Sequence, residues 1–186
     1  MKKIDSKVLY AISYHFRGIK GQNQARIIQL MPQYLPIVMA KYQINTYLRV
    51  CHFLAQLCKE SKGFSSLTEQ GIDPNHNAYE GNKQLGNTKR GDGYLFRGRG
   101  FIQITGRYNY NKVGEDLHKD LIHHPELLAS DIQLALESAG LFWTKHGLNR
   151  LADKDDIVAI THRINGGEHG LSDRRLFLAR VKAAML

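Results

Sequence analysis

A mainly α-helical domain, with a glycine-rich central loop region and one short β-hairpin, is the fold class this sequence predicts. Three observations carry the prediction. Apolar residues recur at three- and four-residue intervals on both sides of the middle of the chain. The stretch from 61 to 99 loses that period among glycines, Pro74 and the polar cluster Asn75 to Asn77. The run FIQIT at 101–105 favours β structure. With 186 residues and 42% hydrophobic content the chain can bury one substantial core, so a single domain over 1–186 is expected.

Taken in order, 4–16 and 22–42 carry helical spacings, and Pro32 and Pro36 should break the second into shorter pieces. Residues 46–60 form the clearest helix, because Leu48, Cys51, Leu54, Ala55 and Cys58 make one stripe that Val50 and Leu57 widen. Helical periods return over 131–146 and 155–164, separated by a turn around Gly147. The last helix, 173–185, follows Ser172 as N-cap and should turn Leu176, Val181, Ala184 and Met185 toward the core.

Twenty-six Lys and Arg against 17 Asp and Glu give a net charge of +9, which favours a polyanion such as nucleic acid, an anionic envelope surface or an acidic wall polymer. The basic residues are scattered, without a zinc-finger spacing or an arginine-rich tail, so no specific nucleic-acid partner is expected. A P-loop is excluded because GxxxxGK[ST] does not occur. No apolar run is long enough to span a bilayer, and Asp5, Ser6, Lys7 and His15 interrupt any signal-peptide core. The expectation is a product made in the cytoplasm that reaches a bacterial wall by release or a separate export route. Cys51 and Cys58 fall about 10 Å apart on one helix, too far for a disulfide. The nine histidines show no ligand spacing, and no metal or cofactor is expected.

Glu60 ends the clearest helix, with Gln56 and Leu57 one turn back and Phe53 behind them. A carboxyl group packed beside apolar side chains holds its proton more tightly, as a general acid at neutral pH must. Lys59 points about 100° around the helix from it. Two loop acids, Glu69 and Glu80, are rival second carboxylates, since nine residues of flexible chain reach anywhere from contact to about 30 Å. The segment GDGYLFRGRGFIQITGRYNY, 91–110, sets Gln103, Thr105 and Asn109 among glycines and aromatic rings, the mixture of amides, hydroxyls and apolar faces that binds sugars.

Read together, these segments resemble glycoside hydrolase family 19, the chitinase family that also includes bacteriophage endolysins. FLAQLCKESKGF, 53–64, is similar to the family's FLAQxxHESGGF, whose Glu is the general acid, which implies that role for Glu60. The family's second carboxylate lies nine residues on in its compact bacterial members and implies Glu69 as the base. GRGFIQITGRYNY, 98–110, resembles GRGxIQLTGRxNY, implying that Gln103, Thr105, Tyr108 and Asn109 line the sugar cleft, with Thr105 holding the attacking water. INGGEHGLSDR, 164–174, resembles INGGxxGLxDR, implying a cleft role for Asn165 and a structural or cleft-wall role for Arg174. The resemblance covers 46–180 and implies a lysozyme-like bilobal helical fold that needs no cofactor. Two positions depart from the pattern: the family histidine before the acid is Lys59, and the first glycine of its GG pair is Lys62. Both bear on the acid or on substrate range. The activity implied is inverting hydrolysis of a β-linked amino-sugar polymer. The charge favours peptidoglycan, cut between N-acetylmuramic acid and N-acetylglucosamine, over chitin. A lytic transglycosylase and a non-catalytic glycan-binding module are the competing readings.

Overall fold

Four acidic or hydroxyl side chains start helices by accepting a backbone N–H that the first turn leaves unpaired. Asp5 accepts from Val8, Thr46 from Arg49, Asp131 from Leu134 and Asp156 from Ala159. They open α1 (Ser6–Ile12), α3 (Tyr47–Glu60), α7 (Ile132–Lys145) and α9 (Ile157–Asn165) in a computed structural model that describes residues 2–186. The other described helices are α2 (Gly18–Lys41), α4 (Asp92–Leu95), α5 (Arg107–Leu117), α6 (Leu127–Ser130), α8 (Leu148–Ala152) and α10 (Leu171–Met185). The protein is mainly α, as the helical spacing predicts.

Pro32 and Pro36 do not break α2, contrary to expectation: the helix runs unbroken from Gly18 to Lys41. An interior proline costs about 3 kcal/mol by removing a donor and crowding the carbonyl four residues back. Here the freed carbonyl of Ile28 accepts the Ser6 hydroxyl at 3.2 Å. α2 also buries Ile27, Ile28, Met31, Leu35 and Val38, and at roughly 1.5–3 kcal/mol each that burial outweighs two prolines.

α3 is the axis of the main core. Every residue from Val50 to Cys58 is buried, so the apolar stripe expected on one face is a helix enclosed all round. Phe53 meets Trp143 of α7 edge-on at 5.3 Å, while buried His52 contacts Asp155 through Nε2 at 2.7 Å. Burial pushes the His52 imidazole below its ordinary pKa, consistent with a neutral ring donating to the Asp155 carboxylate. Cys51 and Cys58 are free and buried. α7 closes against α2, and its approach requires Gly140, where a Cβ would come 2.2 Å from the Tyr42 ring.

α10 begins at Leu171, after Gly170 in the left-handed region, so Ser172 is not its N-cap. Its buried stripe is Arg174, Phe177, Leu178, Val181 and Met185, while Leu176, expected in the core, is 42% exposed. Leu176 lies about 100° around the helix from Phe177, off that stripe.

A smaller apolar cluster unites Phe96, Ile104, Tyr110, Leu121, Leu128 and Leu134. It shares α7 with the main core and forms the second lobe. The hairpin expected in the central region is reduced to two isolated bridges, Thr68 with Arg99 and Arg99 with Ile104. Gln103 stands in the left-handed region at φ 55°, which stops FIQIT from continuing as a strand. Nothing in the apolar period indicates α5, which follows directly from the glycine-rich segment.

Candidate active site

A cleft of about 580 Å³ opens between the lobes. Ile102, Ile104 and Val113 wall it from the smaller cluster and Leu141, Phe142 and Ile164 from the main core. Five sequence-predicted residues, Glu60, Gln103, Thr105, Asn109 and Asn165, line this one cleft from three separate parts of the chain.

Glu60 arrives as the last residue of α3. The apolar surroundings expected for its carboxyl group are not what it meets, because Phe53 and Leu57 turn into the main core. Its Oε1 accepts from the Arg174 guanidinium, whose other terminal nitrogen donates to Gln56 Oε1. Arg174 is wholly buried behind Glu60, so it supports the acid from below and does not line the cleft. Oε2 of Glu60 has no hydrogen-bond partner among the described residues. Arg174 Nε and Gln56 Nε2 are buried without partners, so the support is built around two contacts.

Glu69 reaches the cleft rim from the loop after α3. Its backbone N–H donates to Gly98 O at 2.8 Å, and its Oε2 accepts the Gly98 N–H at 3.1 Å. Oε1 accepts the Tyr79 hydroxyl at 2.9 Å. Burial, and then the bond to Glu69, raises the Tyr79 pKa, so the phenol stays a donor. Tyr79 is held in turn by buried Asn87, whose amide donates to Tyr79 O and whose Oδ1 accepts the Arg107 N–H that begins α5. Glu80 is committed elsewhere: both carboxylate oxygens accept backbone N–H groups, of Gly91 at 2.7 Å and Gly93 at 2.9 Å.

Gly98 is where these pieces meet. A Cβ there would lie 2.7 Å from Gln103 Oε1, 3.1 Å from Glu69 Oε2 and 3.3 Å from Thr105 Oγ1. Three polar groups from two loops therefore converge on the space that the missing side chain leaves. The atoms in conflict are the far ends of flexible side chains, so Gly98→Ala should leave the melting temperature close to wild type. Turnover should fall about tenfold or more, because displacements near 1 Å can cost that much in a positioned site. A parallel loss of melting temperature and activity would show that Gly98 serves packing alone.

Gln103 also donates to Gly100 O at 2.9 Å, Thr105 to Gln103 O at 3.0 Å and Asn109 to Thr105 O at 2.8 Å, a chain of local bonds that fixes the cleft floor. Asn165 donates to His169 O at 2.7 Å across the turn that ends α9. Tyr108 is 57% exposed and does not line the cleft. Sequence reasoning missed Tyr79, which sits in a loop with no period to mark it. It also missed the far wall of α7, where Leu141, Phe142, Lys145 and His146 share a helical face. Among the described residues no group of three or more His, Cys, Asp or Glu is arranged to hold a metal ion, and no helix is long and apolar enough to cross a membrane.

The family model for glycoside hydrolase family 19, described as chitinase class I, matches residues 49–162, more than half of the chain. A glycosyl hydrolase family 19 domain-containing protein of Haemophilus influenzae is 38% identical over 89 residues, covering 48% of this chain and 42% of that protein. An acidic endochitinase of Petunia hybrida is 37% identical over 68 residues, 37% of this chain and 26% of that protein. The chain thus matches less than half the length of these curated relatives. Among solved structures, chitinase C of Streptomyces griseus superposes with a TM-score of 0.71 at 16% identity, over 98% of this chain and 76% of that one. A class IV chitinase of Zea mays gives 0.67 at 19%, over 97% and 91%. At such identities the likeness is one of fold.

Proposed function

The chain belongs to glycoside hydrolase family 19, and on that premise we propose that it hydrolyses β-1,4 bonds between N-acetylated amino sugars by single-step inversion, with peptidoglycan as its polymer. The observation that carries the reading is the gathering of Glu60, Gln103, Thr105, Asn109 and Asn165 around one cleft, with Glu69 tied to Gly98 at its edge.

In this mechanism Glu60 is the acid. Arg174 engages Oε1, so Oε2 is the atom that gives its proton to the glycosidic oxygen. Glu69 is the base: held by Tyr79 and Gly98, it takes a proton from a water oriented by the Thr105 hydroxyl. The water attacks the anomeric carbon from the face opposite the leaving sugar, and its proton passes to Glu69 as the glycosidic oxygen receives that of Glu60. Gln103, Asn109 and Asn165 hold the sugar rings through their amides, and Arg174 is a positioning residue.

The choice of polymer rests on charge. Peptidoglycan carries lactyl-peptide carboxylates and lies among anionic wall components, whereas chitin is neutral, so a +9 protein gains encounter rate only on the former. Chitin is the second reading, favoured by the plant relatives that are named endochitinases. Initial rates on purified peptidoglycan and on soluble chitin oligomers, at low and high salt, test the choice. The expected result is faster cleavage of peptidoglycan, with a rate that falls as salt rises. Faster chitin cleavage at every salt concentration would assign the chain to the second reading.

A further inference from the structure

A second groove, of about 730 Å³, lies on the other side of the α3 terminus. Neighbouring residues divide between the two grooves: Glu60 faces the first and Lys59 the second. Gln70 lines the second groove, while the side chain of its neighbour Glu69 meets Gly98 beside Thr105. The end of α3 and the loop after it thus contribute adjacent residues to the two grooves.

The second groove is cationic. Lys20, Lys59 and Lys62 line it against a single acid, Asp173, and none of the three lysines joins an ion pair among the described residues. Tyr14 and Phe16 supply aromatic surface above buried Phe177, and the Arg180 guanidinium lies 5.5 Å from the centre of the Tyr14 ring. The wall is fixed from within: buried Gln24 donates to Gly63 O at 2.7 Å and to Tyr14 O, joining the 13–16 segment to the loop after α3. Lys62 stands in the left-handed region at φ 52°, where a side chain is disfavoured and glycine is not. A lysine is thus kept on the groove at a backbone position that disfavours it.

We propose that this groove is an anion subsite that takes the carboxylates of a peptide-substituted amino sugar on one side of the scissile bond, with Lys20 and Lys62 as its recognition groups. The proposal rests on the peptidoglycan reading above and adds the residues that would select it. Uncharged amino-sugar chains would cross the same groove on its aromatic and amide surface without engaging the ammonium groups.

The test is equilibrium binding at low salt, using wild type and Lys20→Gln/Lys62→Gln, both exposed positions away from the core. The probes are N-acetylglucosaminyl-N-acetylmuramyl tetrapeptide, the same compound with its carboxylates amidated, and chitotetraose. Wild type should prefer the free acid to the amide by about five- to tenfold, the scale of two exposed ion pairs. The double variant should lose that preference and bind chitotetraose as wild type does. Equal binding of acid and amide by wild type would overturn the subsite, as would a double variant that keeps the preference or loses chitotetraose in step. Displacement by a glycerol phosphate polymer with no dependence on the peptide carboxylates would overturn it in favour of a phosphate site. Carboxylate-dependent binding without peptidoglycan turnover would uphold the subsite and remove the proposed activity. Turnover without carboxylate dependence would do the reverse.

Discussion

Glu60→Gln is expected to fold normally and to lose at least about a hundredfold in turnover, the lower end of what general acid catalysis contributes. The substitution keeps the shape of the side chain and an oxygen for Arg174 to contact, but removes the proton that the leaving sugar needs. Its effect should fall on kcat rather than on KM, because the lost interaction exists only as the bond breaks. Glu69→Gln should be severely impaired as well, since an amide cannot accept the proton of the attacking water. Glu80→Gln should retain most activity, because both its oxygens already serve the turn at Gly91 and Gly93. The check is steady-state kinetics beside thermal melting. A folded Glu60→Gln protein with near-normal turnover would remove Glu60 from the mechanism, and damage confined to Glu80→Gln would reassign the base.

Arg174→Ala should have the largest effect on stability. The guanidinium is wholly buried and contacts Glu60 and Gln56, so its removal leaves a largely buried carboxylate without its partner and an empty volume beneath the cleft. Breaking buried pairs of this kind costs about 3–5 kcal/mol, which for a chain of this length lowers the melting temperature by roughly 6–20 °C. Activity per folded molecule should fall too, because Glu60 loses the contact that orients it. Arg174→Lys separates the two effects. It restores a charge but not the planar fork that reaches two acceptors, so it should recover stability more than turnover. A melting temperature unchanged in Arg174→Ala would show that the pair contributes little, and full activity would show that Glu60 needs no such support.

The behaviour of Arg174 illustrates what the sequence makes legible. Helical spacing located α3, α7, α9 and α10 to within two residues at either end, because each buries a stripe that repeats with the turn of the helix. The same spacing could not reveal that an arginine completes the stripe of α10, since its partners Glu60 and Gln56 lie more than a hundred residues earlier. The continuity of α2 was hidden for a similar reason: Ser6, which satisfies the carbonyl freed by Pro32, belongs to another helix. Local β propensity overstated FIQIT, where Gln103 turns the chain into the left-handed region. Within the cleft, the order of motifs brought forward Gln103, Thr105, Asn109 and Asn165, all of which line it, whereas Tyr108 is more than half exposed to solvent beside Gly86. Tyr79 and Asn87 had no such marker, because the links from Asn87 through Tyr79 to Glu69 join positions of one irregular loop whose spacing repeats nothing.

The configuration of the first product tests the central claim most directly. An inverting acid–base pair acting on a β-linked chain must release a new reducing end in the α configuration, while a retaining enzyme must release the β form. Proton NMR of an amino-sugar oligomer, recorded from the moment of mixing and before mutarotation equilibrates the anomers, distinguishes them. The mechanism of Glu60, Glu69 and a Thr105-held water predicts the α-anomer in excess at the earliest times. A β-anomer in excess, or an anhydro sugar in place of a reducing end, would contradict it.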